Sequence, residues 1–203
     1  AASPTGITIS AGAFYVSTGG VLKAYTYEGG SNKWKNLTAE GGIPSNTWIG
    51  FDVRMRYGST SNWDLWMATN VTTPAYVNLT SGSPLAFSTN STNASLSEVT
   101  CDGNMTLDAV NLCQISANIG VGLPFADGFE SYSLAAIPTN RGIWRLTGTD
   151  AEATVVNTPV AEGVQACSIT NANLILDIDQ TKGNYSNVWC QVYSVPDLFE
   201  DDG

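Results

Sequence analysis

Two carboxylates near the end of an apolar run are the residues whose spacing most directly suggests chemistry. In Leu174-Ile175-Leu176-Asp177-Ile178-Asp179 a strand would place Asp177 and Asp179 on one face. Paired carboxylates can serve as general acid and base in glycoside hydrolysis. No further acid or binding motif accompanies them, so we favour an ordinary solvated strand face. The chain has no His, which excludes Ser-His-Asp and Cys-His arrangements. We therefore expect a protein that is not an enzyme.

The aromatic residues offer binding chemistry instead, because the chain has 6 Trp and 8 Tyr. Aromatic rings that point away from the core could form a surface on which sugars stack. The side chains expected to point outward are Tyr25, Tyr27, Trp34 and Trp66. The tryptophans expected to pack in the core or on a sheet are Trp48, Trp63, Trp144 and Trp189.

The 4 Cys contain no Cys-x-x-Cys pair, and without His the usual zinc sites are unavailable. Two disulfides are predicted, and three pairings are open. We favour Cys101–Cys113 and Cys167–Cys190, because each pair flanks a predicted hairpin. The first of these hairpins has Asp102-Gly103-Asn104 as its turn. Free buried thiols are the alternative.

A central hairpin must position these residues. In 49–57 apolar side chains alternate with Gly50, Asp52, Arg54 and Arg56, which is typical of a strand with one buried face. The segment 63–67 alternates in the same way, and a turn-forming stretch separates the two. Similar short runs recur along the chain, separated by turn signals. The sequence therefore predicts an all-β, antiparallel β-sandwich.

Composition limits the partners. The formal net charge is −10, and the 8 Lys and Arg are too scattered to form a phosphate-binding face, so we expect no nucleic-acid partner. No apolar run is long enough to span a bilayer, so membrane insertion is not expected. Only 13% of the residues are charged, against about a quarter in most soluble domains. This profile is common among secreted β-proteins, and an extracellular or cell-surface location is predicted.

Motifs in both parts of the chain resemble one family. In the second part they are Asp127-Gly128-Phe129-Glu130-Ser131-Tyr132, Trp144, 162–166 and 188–193. In the first part they are 12–16, 21–25, 48–57, 63–67 and 107–110. The second set resembles the opening half of a laminin-G/concanavalin-A-like jelly-roll domain, of the lectin and glucanase superfamily. The first set resembles its closing half.

The order of the two halves is inverted relative to this family. Residues 1–115 form the predicted closing half, 116–124 a connector, and 125–203 the predicted opening half. The halves could close within one chain as a circularly permuted sandwich. Alternatively, each could be completed by a neighbouring chain, which would produce an open fibre.

The resemblance also implies candidate ligands. Relatives of this fold often bind calcium where the opening strand meets the closing strand, and the corresponding residues are Asp108, Asp127 and Glu130. Carboxylate oxygens suit Ca²⁺. Ordinary turn and strand-edge acids are the alternative explanation.

Two functions follow as expectations. The first is a non-catalytic extracellular structural subunit that assembles with copies of itself into a fibre or surface layer by half-domain complementation. The second is a monomeric, lectin-like module that binds glycans for adhesion, with calcium as an optional cofactor.

Overall fold

Antiparallel strands make up nearly all of the regular structure. The computed structural model describes residues 11–58, 61–88, 98–113, 124–135, 144–147, 152–177 and 187–196. The strands in these ranges are β1 (Phe14–Val16), β2 (Leu22–Glu28), β3 (Ser31–Asn36), β4 (Ile49–Arg56), β5 (Asn62–Ala68), β6 (Val77–Asn78), β7 (Leu85–Ala86), β8 (Glu98–Cys113), β9 (Pro124–Asp127), β10 (Trp144–Thr147), β11 (Glu152–Val156), β12 (Ala166–Asp177) and β13 (Asn187–Pro196). None of these ranges contains a helix long and apolar enough to cross a membrane.

The predicted central hairpin is confirmed as β4 and β5. Val53 pairs with Leu65 and both are buried, whereas Arg54 pairs with Asp64 on the opposite face. The alternation in the sequence reflects these two environments, because successive side chains of a strand point to opposite faces.

The two predicted halves share one sheet. Its main path runs β10-β12-β8-β13-β4-β5-β6. Three further strands join this path: β11 pairs with β12, β7 pairs with β5, and β9 pairs with β8. Strand β13, from the second half, lies between β4 and β8, both from the first half. One chain therefore completes its own sheet. Residues 116–123 of the predicted connector lie outside the described ranges, and Pro124 begins β9.

A smaller sheet of β1, β2 and β3 covers part of the large one. Leu22 and Ala24 of β2 belong to the same buried cluster as Phe51 and Val53 of β4. The rings of Phe14 and Phe51 lie 4.9 Å apart between centroids and join the two sheets. The cluster continues to β12 and β13, so one core spans both halves. The prediction of an all-β, antiparallel sandwich is confirmed. The jelly-roll family within that class stays a prediction.

The predicted hairpin around Asp102-Gly103-Asn104 is wrong. Strand β8 continues through these residues, and Asp102 and Gly103 pair with Asn173 and Ala172 of β12. The long partner strand supplies hydrogen bonds along the whole segment, which outweighs the local turn preference. The irregularity falls in β12 instead, where the register shifts between Ile169 and Ala172.

The structure supports neither predicted disulfide. Cys101 and Cys113 lie near opposite ends of β8, and one continuous strand cannot bring them within the roughly 6 Å between Cα atoms that a disulfide requires. Cys167 lies on β12 and Cys190 on β13, with β8 between them. The Cys167 thiol is free and buried.

Candidate functional site

Two of the predicted calcium ligands line one cavity of about 210 Å³. Asp108 comes from β8 and Glu130 from the turn after β9. The other lining residues are Ala109, Asn111, Gly128, Glu162 and Gly163.

The Asp108 carboxylate accepts hydrogen bonds from three backbone amides. Its Oδ2 accepts hydrogen bonds from the amides of Ala161 (2.9 Å) and Glu162 (2.7 Å), and its Oδ1 accepts one from Ala109 (2.7 Å). Burial raises the pKa of Asp108, and these hydrogen bonds partly oppose that shift. The carboxylate therefore holds the segment after β11 against β8.

Glu130 acts on the same segment. Its Oε1 accepts hydrogen bonds from the amides of Val164 (2.8 Å) and Gln165 (3.0 Å). Gly163 has φ of 68°, and a Cβ there would lie 2.0 Å from the same oxygen. Glycine therefore allows the close approach of this turn to Glu130.

Asp127, the third predicted calcium ligand, is buried in a separate network. Its Oδ1 accepts a hydrogen bond from the Phe129 amide (2.8 Å). Its Oδ2 accepts hydrogen bonds from Tyr132 Oη (3.0 Å) and Trp144 Nε1 (2.8 Å). No group of three or more His, Cys, Asp or Glu in the described ranges is arranged to hold a metal ion. The three predicted ligands thus do not form one set, because the Asp127 carboxylate is hydrogen-bonded to Phe129, Tyr132 and Trp144.

The outer face of the large sheet, turned away from the core, carries two tryptophans that meet. Trp66 lies on β5 and Trp189 on β13, the two strands that flank β4. Their ring centroids are 5.2 Å apart. The guanidinium carbon of Arg54, on β4, lies 5.7 Å from the Trp66 ring and 5.4 Å from the Trp189 ring. We call Trp66, Trp189 and Arg54 the platform.

An ion-pair network fixes Arg54. Its Nη2 lies 3.0 Å from Oδ2 of Asp64, which also pairs with Arg56. Thr80 Oγ1 donates to the other Asp64 oxygen at 3.1 Å. Asp64 is only 4% exposed, so its charge is balanced almost without water.

Polar side chains border the platform. Asp52 of β4 pairs with Trp66 of β5 on one side and with Gln191 of β13 on the other. Gln191 Nε2 donates to Tyr76 Oη at 3.2 Å. Burial raises the pKa of Asp52. A half-buried carboxylate, an amide and a phenol therefore stand beside the aromatic rings.

The four predicted ligand-binding aromatics fall on two different sheets. Tyr25, Tyr27 and Trp34 are half-buried on the outer face of the small sheet, whereas Trp66 is half-buried on the large one. Tyr25 and Trp34 are paired, with ring centroids 4.9 Å apart.

Sequence reasoning placed Trp189 among the packing residues and missed its place beside Trp66. Trp63 and Trp144 are buried as expected, but Trp189 is only half-buried. Val188 and Val192 of β13 are buried, and Gln191 shares the face of Trp189. That polar residue two positions from Trp189 was the available signal.

The chain matches no protein-family model, no curated protein and no solved structure.

Proposed function

We propose that the protein is a non-catalytic, glycan-binding module and that the platform is its principal binding surface. The observation that carries this proposal is the half-buried pair of Trp66 and Trp189, held over Arg54 on the outer face of the large sheet. Rigid aromatic rings bind the apolar faces of a flat ligand at little entropic cost, and their polar neighbours select its hydroxyl groups.

The neighbouring groups fit a polyhydroxylated ligand. Asp52 can accept hydrogen bonds, and Gln191 and Tyr76 can both donate and accept them. Arg54 is held by Asp64, so it serves mainly to orient the rings. The cavity acids Asp108 and Glu130 support the proposal of binding without catalysis, because both carboxylates hold backbone amides.

Affinity electrophoresis in gels containing a β-glucan, a xylan or a mannan tests this proposal. Trp66→Ala and Trp189→Ala should each weaken binding at this face at least about tenfold, as expected for a central aromatic contact. Trp66→Phe keeps a ring and should lose less. Leu134→Ala is the matched control, because Leu134 is 53% exposed in the turn after β9 and belongs to neither aromatic face.

Electrophoresis with and without a chelator tests whether binding depends on calcium. The proposal needs no metal, so binding should not change when calcium is removed. Wild-type protein that is not retarded by any of the polysaccharides would overturn the proposal.

An extracellular location is part of this proposal. Its support is the low share of charged residues, 13%, since the favoured disulfide pairing does not contribute. Fractionation of the native source tests it, and recovery of the protein solely with cell contents would contradict it.

Self-assembly by exchange of half-domains is a second candidate. Its support is β13, which is hydrogen-bonded on both sides to strands of the first half. A neighbouring chain could supply the same strand through the same contacts. Light scattering after size-exclusion chromatography, with negative-stain microscopy, tests it. Monomers at all concentrations would remove this candidate, and filaments would support it.

A further inference from the structure

A second aromatic arrangement lies on the outer face of the small sheet. Tyr15 of β1 and Trp34 of β3 meet across β2, with ring centroids 4.6 Å apart in an edge-to-face geometry. Tyr25 of β2 lies 4.9 Å from Trp34. We call Tyr15, Tyr25 and Trp34 the small-sheet row. It spans two strand spacings, or about 10 Å.

This row repeats the design of the platform. In each sheet, rings from two strands meet over the strand between them, and a cation from that middle strand lies near at least one of the rings. In the platform the cation is Arg54, and in the small-sheet row it is Lys23, whose Nζ lies 5.9 Å from the centroid of the Tyr15 ring. The shared arrangement suggests a shared class of ligand.

The small-sheet row is bordered by neutral or cationic groups. The remaining outward positions of the three strands hold Lys23, Tyr27, Asn32 and Asn36, so no carboxylate points outward from them. Glu28, at the end of β2, is engaged with Lys33 at 2.8 Å. In a chain of net charge −10 this face is thus free of outward acids. Asn32 Nδ2 already donates to Ser88 Oγ at 3.2 Å, but the exposed amide of Asn36, the phenol of Tyr27 and the ammonium of Lys23 suit the oxygen atoms of a sugar.

The two faces point in opposite directions. The inward residues of β2 and of β4 share one core, so their outward residues lie on opposite sides of the sandwich. Phe14 and Phe51 touch across the interior between them. One ligand surface cannot engage both faces, but two separate polymer chains can.

We propose that the small-sheet row is a second glycan-binding face and that the protein cross-links polysaccharide chains. This inference rests on the proposed function, because the platform supplies the first attachment. Two independent sites on one rigid body convert weak single contacts into strong attachment to a multivalent polymer.

Agglutination of polysaccharide-coated particles tests the inference. The particles carry the β-glucan, the xylan or the mannan that retards the wild type in gels. Wild-type protein and Leu134→Ala should agglutinate them. Trp34→Ala and Trp66→Ala should each still bind the particles, with affinity reduced at least about tenfold by the lost avidity, and should no longer agglutinate them. The double variant should lose binding.

Tyr25→Ala provides a second probe of the row, and circular dichroism confirms that each variant is folded. Agglutination by Trp34→Ala and Tyr25→Ala at the wild-type concentration would overturn the second face while leaving the proposed function intact. Complete loss of binding in Trp66→Ala alone would also overturn it. A wild-type oligomer that forms without glycan and disappears in Trp34→Ala would reassign the row to contacts between copies. Failure of the wild type to bind any particle would instead remove the proposed function.

Discussion

Trp66 and Trp189 belong to strands separated by β4, yet their ring centroids lie 5.2 Å apart. The rings close over Arg54, whose Nε is buried and has no hydrogen-bond partner in the described ranges. Its Nη2 reaches Asp64 beneath them. The tryptophan pair therefore shields an ion pair from water, and in the proposed function the same rings contact the glycan. A substitution of either tryptophan should therefore change both the stability of the fold and the proposed binding.

The first prediction concerns the shielded carboxylate. Asp64→Asn leaves Arg54 and Arg56 without their anion, and we expect a loss of about 3 kcal/mol in the free energy of unfolding. Urea denaturation measures it. Glu28→Gln is the control, since Glu28 also pairs with a cation, Lys33, but that pair is about half-exposed on both sides. It should hardly change the midpoint. Equal effects of the two substitutions would show that the tryptophans do not shield Asp64.

The second prediction concerns pH. Burial raises the pKa of Asp52 above its ordinary value of 3.8. The folded chain then binds this proton more tightly than the unfolded chain, so Asp52 makes stability fall as the pH rises through the interval above 3.8. Asp52→Asn removes that contribution. Its urea midpoint should exceed that of the wild type at pH 7, and the gain should shrink as the pH is lowered toward 3.8. A difference that does not vary with pH would contradict this explanation.

The third prediction concerns the core carboxylate Asp127. Asp127→Asn places an amide donor opposite the donors of Tyr132 and Trp144, and we expect a cost of about 2 kcal/mol. Tyr132→Phe removes one of those donors and should cost about 1 kcal/mol. In a double-mutant cycle the two costs should differ from additivity by at least about 0.5 kcal/mol. Strict additivity would mean that the Tyr132–Asp127 hydrogen bond contributes nothing.

Strand alternation was the part of this molecule that the sequence could predict. The buried Val53 and Leu65 and the outward Arg54 follow a period of two, which depends only on local geometry. The continuity of β8 could not be predicted in this way, because it depends on β12, more than sixty residues away. The local turn preference of Asp102-Gly103 predicted a hairpin there instead of a continuous strand.

The candidate site was predictable only in part. Tyr25, Trp34 and Trp66 were expected to point outward and do so, but their distribution over two sheets depends on the topology. Trp189 lies in a strand with large side chains on both faces, so periodicity alone did not show which face is buried. Asp108 and Glu130 share a cavity, but the calcium set that the family resemblance implied stays a prediction. Their backbone hydrogen bonds depend on a turn that no local pattern reveals.

The fourth prediction follows from the position of Cys167. Burial raises the pKa of its thiol to about 12, so little thiolate forms near neutral pH. In the native protein Cys167 should resist a maleimide reagent at pH 7.5 and should react once urea unfolds the chain. Peptide mapping by mass spectrometry identifies the labelled residue. A Cys167–Cys190 disulfide found under non-reducing conditions would contradict the strand order β12-β8-β13.

The last prediction concerns Gly50 of β4, which is covered by the side chains of Tyr76 and Tyr193. A Cβ at this position would lie 2.7 Å from Tyr76 Oη and 3.0 Å from Tyr193 Cε1. Ala is ordinarily better than Gly in a strand by about 0.5–1 kcal/mol, so a loss of stability in Gly50→Ala must come from the displaced tyrosines.

We expect Gly50→Ala to lower the free energy of unfolding by about 1 kcal/mol, because Tyr76 Oη moves away from Gln191. Tyr76→Phe removes the same hydrogen bond without crowding β4. In urea denaturation the double variant should therefore be no less stable than Gly50→Ala alone. If the two losses simply add, Gly50 does not act through the Tyr76 hydroxyl, and some other contact of β4 explains why glycine is required there.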